Sequence, residues 1–215
     1  SIIDHPNIVK MHGFFWDKKR IFMILEYMPD GMLFRILRKQ PNGRFSEAKA
    51  SQIIDQMIQA LKYLHERHII HRDIKPENIL VDGTTIKLSD FGGSVISVSG
   101  KRNTCYGTLE YFAPELIKRN ICYGDEIDVW GLGVLTYELL SGNAPFVGRT
   151  FEESARKIER VEYRNPSYFS DDAKAFIKRI LQANSKDRPK LTELENMDFI
   201  RRYRGLSPLN LAELS

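Results

Sequence analysis

The stretch that most constrains this chain is His71-Arg72-Asp73-Ile74-Lys75-Pro76-Glu77-Asn78, followed twelve residues later by Asp90-Phe91-Gly92. Between them Ile79-Leu80-Val81 and Ile86-Lys87-Leu88 flank Asp82-Gly83-Thr84-Thr85, the pattern of two short apolar strands around a tight turn. Such a hairpin doubles the chain back and brings Asp73 and Asp90 to one cleft. Alone, a loop of His, Arg, Asp, Lys and Glu is compatible with a solvated turn, and a lone Asp-Phe-Gly is weak. The two together, in this order and spacing, are far harder to reach by chance.

This composite resembles the catalytic core of a eukaryotic protein kinase. The resemblance implies an α+β, kinase-like fold: a mainly α-helical large lobe with a remnant β hairpin of the small lobe. It implies ATP and Mg²⁺ as cofactors and a catalytic set of Asp73, Lys75 and Asn78. Phosphoryl transfer passes through a loose transition state, so the protein mainly positions groups and stabilises charge. Asp73 would then orient the proton of a substrate hydroxyl and Lys75 would neutralise the transferring group. Asn78 and Asp90 would be the metal pair, oxygen donors of the kind Mg²⁺ prefers. His71 would pack beneath Phe91 as scaffold. The nucleotide would contact Leu25, Glu26, Tyr27, Met28, Glu77, Asn78, Leu80 and Asp90, with Leu25 guarding the rear of the adenine pocket.

Composition bounds the alternatives. At 215 residues and 42% hydrophobic content there is ample material for a core, in one large domain or a domain plus a piece. A net charge of +4 is a mild basic excess, and no nucleic-acid motif accompanies it, so no nucleic-acid partner is expected. Cys105 and Cys122 are too few for a disulfide framework and read as free thiols in a reducing compartment. No secretory leader and no apolar run of about 18 residues is present, so neither export nor membrane insertion is expected. Cytoplasm or nucleus follows as the expected location.

In chain order, residues 1–28 read as the remnant of the small lobe and hinge, 29–203 as the large lobe and 204–215 as a C-terminal tail. Ser1 to Val9 resembles the exit from the family's αC helix, with sequence expected upstream. Lys10 to Trp16 and Ile21 to Leu25 read as a hairpin turned by Asp17-Lys18-Lys19-Arg20. A short helix is expected from Met32 to Arg38. Ser46 is placed as N-cap of a long helix to about Arg67, whose Ile54, Met57, Ile58, Leu61 and Leu64 recur at helical spacing. His65 and His68 near its end lack a third metal ligand and are read as terminating the helix. Ala173, Phe176, Ile177, Ile180 and Leu181 fit one face of a later helix.

Further roles follow from the resemblance. Asp90 to Glu115 matches the family's activation segment, with Thr104 as phosphosite and Arg72 and Arg102 as partners for its phosphate. Gly107 to Tyr111 resembles the ledge that docks substrate, where Thr108 can bond Asp73. Glu77, Thr108 and Glu110 are the expected substrate contacts, with Glu77 reading a basic residue before a Ser or Thr acceptor in protein substrates. Asp128 would fix the catalytic-loop backbone, and Arg188 would pair with Glu115.

Lys-Pro-Glu-Asn after Asp73 is similar to serine/threonine kinases. More narrowly, His5-Pro6-Asn7-Ile8, Leu25-Glu26-Tyr27, Asp90 to Val95, Gly107 to Tyr111 and Arg160 to Tyr163 resemble the Aurora kinases over about residues 1 to 203. That implies roles in mitosis and cell-cycle control, activator proteins, and association with spindle, centrosome or chromosomes. The chain departs from the Aurora pattern at Gly93, which stands for tryptophan, and at Asn103, Cys105 and Tyr106, which stand for Thr, Leu and Cys. The family's glycine-rich loop, strand-3 lysine and αC glutamate are not among these residues, so the 215-residue chain alone is expected to be inactive. The alternative function is therefore a noncatalytic fragment or pseudokinase that binds partners.

Overall fold

The structure, a computed structural model, describes residues 3–97, 104, 106–118, 122–208, 210, 211 and 213. Strands β1 (Met11–Trp16) and β2 (Ile21–Leu25) pair antiparallel, with Trp16 opposite Ile21. The Asp17 carboxylate closes their turn by accepting from the N–H groups of Lys19 at 2.8 Å and Arg20 at 2.7 Å. Phe14, Phe15, Trp16, Ile21, Met23, Ile24 and Leu25 are all exposed, so this hairpin buries neither face.

The main body begins with β3 (Gly31–Met32), α1 (Leu33–Lys39) and α2 (Glu47–His65). Ser46 caps α2, its hydroxyl accepting from the Lys49 N–H at 3.3 Å, and the stripe from Ile54 to Leu64 is fully buried as its spacing requires. Next come β4 (Ile69–Ile70), β5 (Ile79–Asp82), β6 (Thr85–Leu88) and β7 (Val95–Ile96). The sheets run β3-β5-β6 and β4-β7. Gly83, at φ +57°, supplies the left-handed residue that the two-residue turn between β5 and β6 needs.

Helices α3 (Pro114–Ile117), α4 (Glu126–Ser141), α5 (Phe151–Arg160), α6 (Asp171–Ile180), α7 (Leu191–Leu194) and α8 (Asp198–Arg201) complete the lobe. Every residue of α4 from Ile127 to Leu140 is buried, the environment that an all-round apolar helix demands. It packs between α2 and α6, and Ala173, Phe176, Ile177 and Ile180 of α6 are buried as expected. Of the described residues after Arg204, Ser207 and Glu213 lie against α2 through their carbonyls. Leu211 is fully buried and donates its N–H to the Gly83 carbonyl at 3.0 Å, while Lys49 Nζ donates to the Glu213 carbonyl at 2.6 Å. Among the described residues no helix is long and apolar enough to cross a membrane.

Candidate active site

The loop from His71 to Asn78 leaves β4 and has little regular structure of its own, so its shape depends on what lies beneath it. That support is Asp128, fully buried on α4. Its Oδ2 accepts from the His71 N–H and its Oδ1 from the Arg72 N–H, each at 2.8 Å. Arg72 sits at φ +74°, a conformation costly for a residue with a side chain and held here by those two bonds. His65, at the end of α2, is 3.0 Å from Asp128 Oδ2 through Nε2 and 3.6 Å from Asp125 through Nδ1. The expectation that His65 merely ends its helix is therefore corrected: it joins α2 to the carboxylate that anchors the loop. Burial opposes a charge on His65, but the Asp128 hydrogen bond and the Asp128, Asp125 and Glu126 charges outweigh it and raise its pKa above the ordinary 6.5. His71 is the reverse, since burial holds its pKa below 6.5. It is neutral, with Nε2–H donating to the Ser89 carbonyl at 3.0 Å and Nδ1 accepting from the Asp73 N–H at 3.3 Å. Phe91 packs edge-on against its ring, 5.1 Å between centroids.

The geometry brings Asp73, Lys75, Asn78 and Thr108 together. Asp73 Oδ2 is 2.8 Å from Lys75 Nζ and accepts from Asn78 Nδ2 at 2.8 Å. The Thr108 hydroxyl donates to Asp73 Oδ1 at 3.2 Å and accepts from Lys75 Nζ at 2.7 Å. Because the Asn78 amide nitrogen is committed to Asp73 and to the Asp73 carbonyl, its oxygen is the atom it can offer a cation. Asp90 lies across the β5–β6 hairpin at φ +59°, exposed, with Oδ1 accepting from the Gly92 N–H at 3.1 Å. Among the described residues no cluster of three or more His, Cys, Asp or Glu side chains forms a metal cage. Two oxygen donors with open positions suit an ion such as Mg²⁺, which keeps water and phosphate oxygens in most of its shell.

The residues expected to contact a nucleotide are less tightly gathered. A cavity of about 310 Å³ is lined by Leu25, Asp90, Phe91 and Gly92 together with Ile8 and Met23, while Glu26, Tyr27, Met28, Glu77, Asn78 and Leu80 are not in its wall. Glu26 reaches the lobe by an ion pair with Lys87 at 2.5 Å, and Lys87 faces Leu80 across the β5–β6 ladder. Tyr27 is exposed and Met28 buried.

Of the residues expected to contact a substrate, Glu77 is exposed next to Asn78 and Glu110 is half-buried. Sequence reasoning overlooked Glu138, a lone carboxylate in the otherwise apolar run of α4. It accepts from the Tyr111 hydroxyl at 2.5 Å and lies 3.6 Å from Arg38. Burial raises the Glu138 pKa, and the Glu77 and Glu110 charges add to that rise against the Tyr111 bond and Arg38. Arg188 and Glu115 form the expected buried pair, both guanidinium–carboxylate contacts at 2.7 Å. In the activation segment Arg72 Nη1 donates to the Thr104 hydroxyl at 2.9 Å and to Tyr123 Oη at 2.8 Å, the latter a partner not anticipated from sequence. Arg102 and Cys105 lie outside the described residues.

The sequence pattern of the protein kinase domain matches residues 1–200. Similar proteins include an Aurora kinase of Schizosaccharomyces pombe, 44% identical over 95% of this chain and 57% of that one. An Aurora kinase of Encephalitozoon cuniculi is 42% identical over 96% of this chain and 76% of its own length. Aurora kinase A-A of Xenopus laevis is 41% identical over 87% of this chain and 46% of its own. The chain thus spans from about half to three quarters of the length of these curated relatives. With the catalytic loop, Asp-Phe-Gly turn and buried anchors arranged as described, this chain belongs to the protein kinase family and, within it, to the Aurora kinases.

Proposed function

We propose that the whole protein is a serine/threonine protein kinase that transfers the γ-phosphate of ATP to Ser or Thr of protein substrates, with a role in mitosis and cell-cycle control. The observation that carries this reading is the closed set of contacts among Asp73, Lys75, Asn78 and Thr108. It fixes a carboxylate where a hydroxyl nucleophile would be aimed and a cation beside it for the transferring group, which is what phosphoryl transfer asks of a protein. When bound, Mg-ATP supplies the phosphoryl group and the ion that neutralises its developing charge. Asn78 and Asp90 would hold the ion; Leu25, Glu26, Tyr27, Met28, Glu77 and Leu80 would border the nucleotide.

Glu77 and Glu110, reinforced by Glu138, would select a basic residue ahead of the acceptor, and Thr108 would hold the ledge on which the substrate lies. Thr104 is the proposed phosphosite, with Arg72 already in contact and Arg102 as a second cation for the added charge. Activators of the Aurora type and association with spindle, centrosome or chromosomes belong to the same reading, through membership of the Aurora kinases alone.

The test is Asp73→Asn and Asp90→Asn in the full-length protein. Each removes a charge needed at the transition state while keeping shape, so peptide phosphorylation is expected to fall by about a hundredfold or more with the fold intact by circular dichroism. Turnover within a fewfold of wild type in both would refute the assignment and leave the noncatalytic alternative.

A further inference from the structure

Two of the positions at which this chain departs from the Aurora pattern, Gly93 and Tyr106, meet in the fold. A methyl group built on Gly93 would lie 1.8 Å from Cε1 and 2.2 Å from Cδ1 of Tyr106. The ring therefore fills the space that any side chain at position 93 needs. Its hydroxyl comes within 4.0 Å of where a side chain on Gly92 would begin, so the ring lies along the Asp-Phe-Gly turn. The Arg72 guanidinium stands over the same ring, 5.2 Å from its centroid, and Arg72 Nε donates to the Gly93 carbonyl at 2.5 Å. The far end of Arg72 holds Thr104 and Tyr123, and Tyr123 Oη donates in turn to the Thr104 carbonyl at 2.7 Å.

The two residues after Tyr106 tie its placement to the catalytic loop. Gly107, at φ +118°, presses its backbone against that loop so closely that a methyl there would lie 2.8 Å from the Arg72 carbonyl. Thr108 comes next and bonds both Asp73 and Lys75. A ring fixed at 106 thus sets the two residues that carry the substrate ledge onto the catalytic aspartate.

We propose that Tyr106 is a positioning residue: its ring, seated in the space left by Gly93 and beneath Arg72, clasps the activation segment to the Asp-Phe-Gly turn by contacts that need no charge on Thr104. Gly93 and Tyr106 act as one pair, the absence of a side chain at 93 leaving the seat that the ring at 106 takes. The catalytic consequence rests on the kinase reading above; the clasp itself does not.

The test uses the phosphatase-treated full-length protein and reads hydrogen exchange of the amides from Gly92 to Ser94 and at Gly107 and Thr108, beside peptide KM and kcat. Gly93→Ala and Tyr106→Cys are expected to speed exchange there by about tenfold, the weight of a ring contact plus a cation–π contact. KM should rise more than kcat falls, because the ledge and not the chemistry is loosened. Tyr106→Phe, which keeps the ring, should retain the protection. Gly93→Trp combined with Tyr106→Cys should regain what Tyr106→Cys alone loses. Exchange in Tyr106→Cys within about twofold of wild type overturns the proposal, as does a Tyr106→Phe as loose as Tyr106→Cys. Should Gly93→Ala fail to fold, Tyr106→Cys decides by itself. If exchange behaves as expected but no variant, wild type included, phosphorylates any peptide, the kinase reading fails and the clasp stands.

Discussion

Replacing Asp128 by Asn tests how far the catalytic loop depends on a single buried carboxylate. Asp128 accepts from the His71 N–H, the Arg72 N–H and His65 Nε2, and the substitution keeps its volume while leaving one acceptor oxygen. The best orientation turns that oxygen to His71 and His65, which share Oδ2, and points the new NH₂ at the Arg72 N–H. One buried donor is then stranded, at about 1–3 kcal/mol, and the remaining bonds lose their charge assistance at roughly 1 kcal/mol each. The sum is about 3–5 kcal/mol, which for a domain of this size lowers the melting temperature by roughly 6 to 20 °C. Because Arg72 would also lose the bond that holds its left-handed backbone, peptide phosphorylation should fall further than stability alone explains.

The pH dependence has a definite sign. The folded His65 pKa is raised, so its stabilisation is fully present below the ordinary 6.5 and is lost as pH rises through the raised value. Although burial opposes it, the hydrogen bond and charge of His65, with the bond from the Arg72 N–H, keep the Asp128 pKa below 3.8, so its contribution is lost only in stronger acid. The stability gap between wild type and Asp128→Asn should therefore be widest between about pH 4.5 and 6.5 and narrow above neutrality. Urea unfolding at several pH values measures it. A gap below about 1 kcal/mol, or one that widens from pH 6.5 to 8, would refute the account of the anchor.

Arg188→Met leaves Glu115 buried without its partner and should destabilise the lobe by about 3–5 kcal/mol, whereas adding Glu115→Leu should recover most of that loss; denaturant midpoints of the single and double variants check it. Glu77→Ala and Glu138→Gln should each lower kcat/KM by about tenfold for peptides with arginine two residues before the acceptor, and much less for peptides without it. An equal loss on both peptides would assign these carboxylates to structure alone.

The catalytic loop, the Asp-Phe-Gly turn and the hairpin between them were legible because their geometry is local: strand, two-residue turn and strand are written in adjacent residues. The same holds for the α2 stripe and its Ser46 cap, where helical periodicity and one hydroxyl suffice. His65 was misread because its partner Asp128 lies on another helix, and nothing in the spacing of two histidines reveals a carboxylate that distant in sequence. Glu138 was passed over for a related reason. A single charge within Val129–Leu140 ought to have signalled a buried polar group in need of partners, but those partners, Tyr111 and Arg38, come from segments far from it in the chain. The seat of Tyr106 against Gly93 was also out of reach, since in sequence the two positions are separate departures and only packing shows that one fills the space left by the other.

Helix α4 connects these observations into one device. Asp128 in its first turn holds the backbone of the loop that carries Asp73, and Glu138 near its last turn holds Tyr111 at the end of the ledge that begins at Thr108. Ten residues of helix separate the two, about 15 Å at the standard rise, so the loop that carries Asp73 and the Tyr111 hydroxyl are held from two points on one rigid buried helix. Its two glycines carry a cost of about 1 kcal/mol each relative to alanine, which the packing explains. A methyl on Gly131 would lie 3.2 Å from Ile74 Cβ in the catalytic loop, and one on Gly133 would lie 2.6 Å from Ile180 Cγ2 on α6. The loop can therefore rest on the helix backbone on one side while α6 closes on the other, and helix stability is given up where close approach of the Asp73 loop requires it.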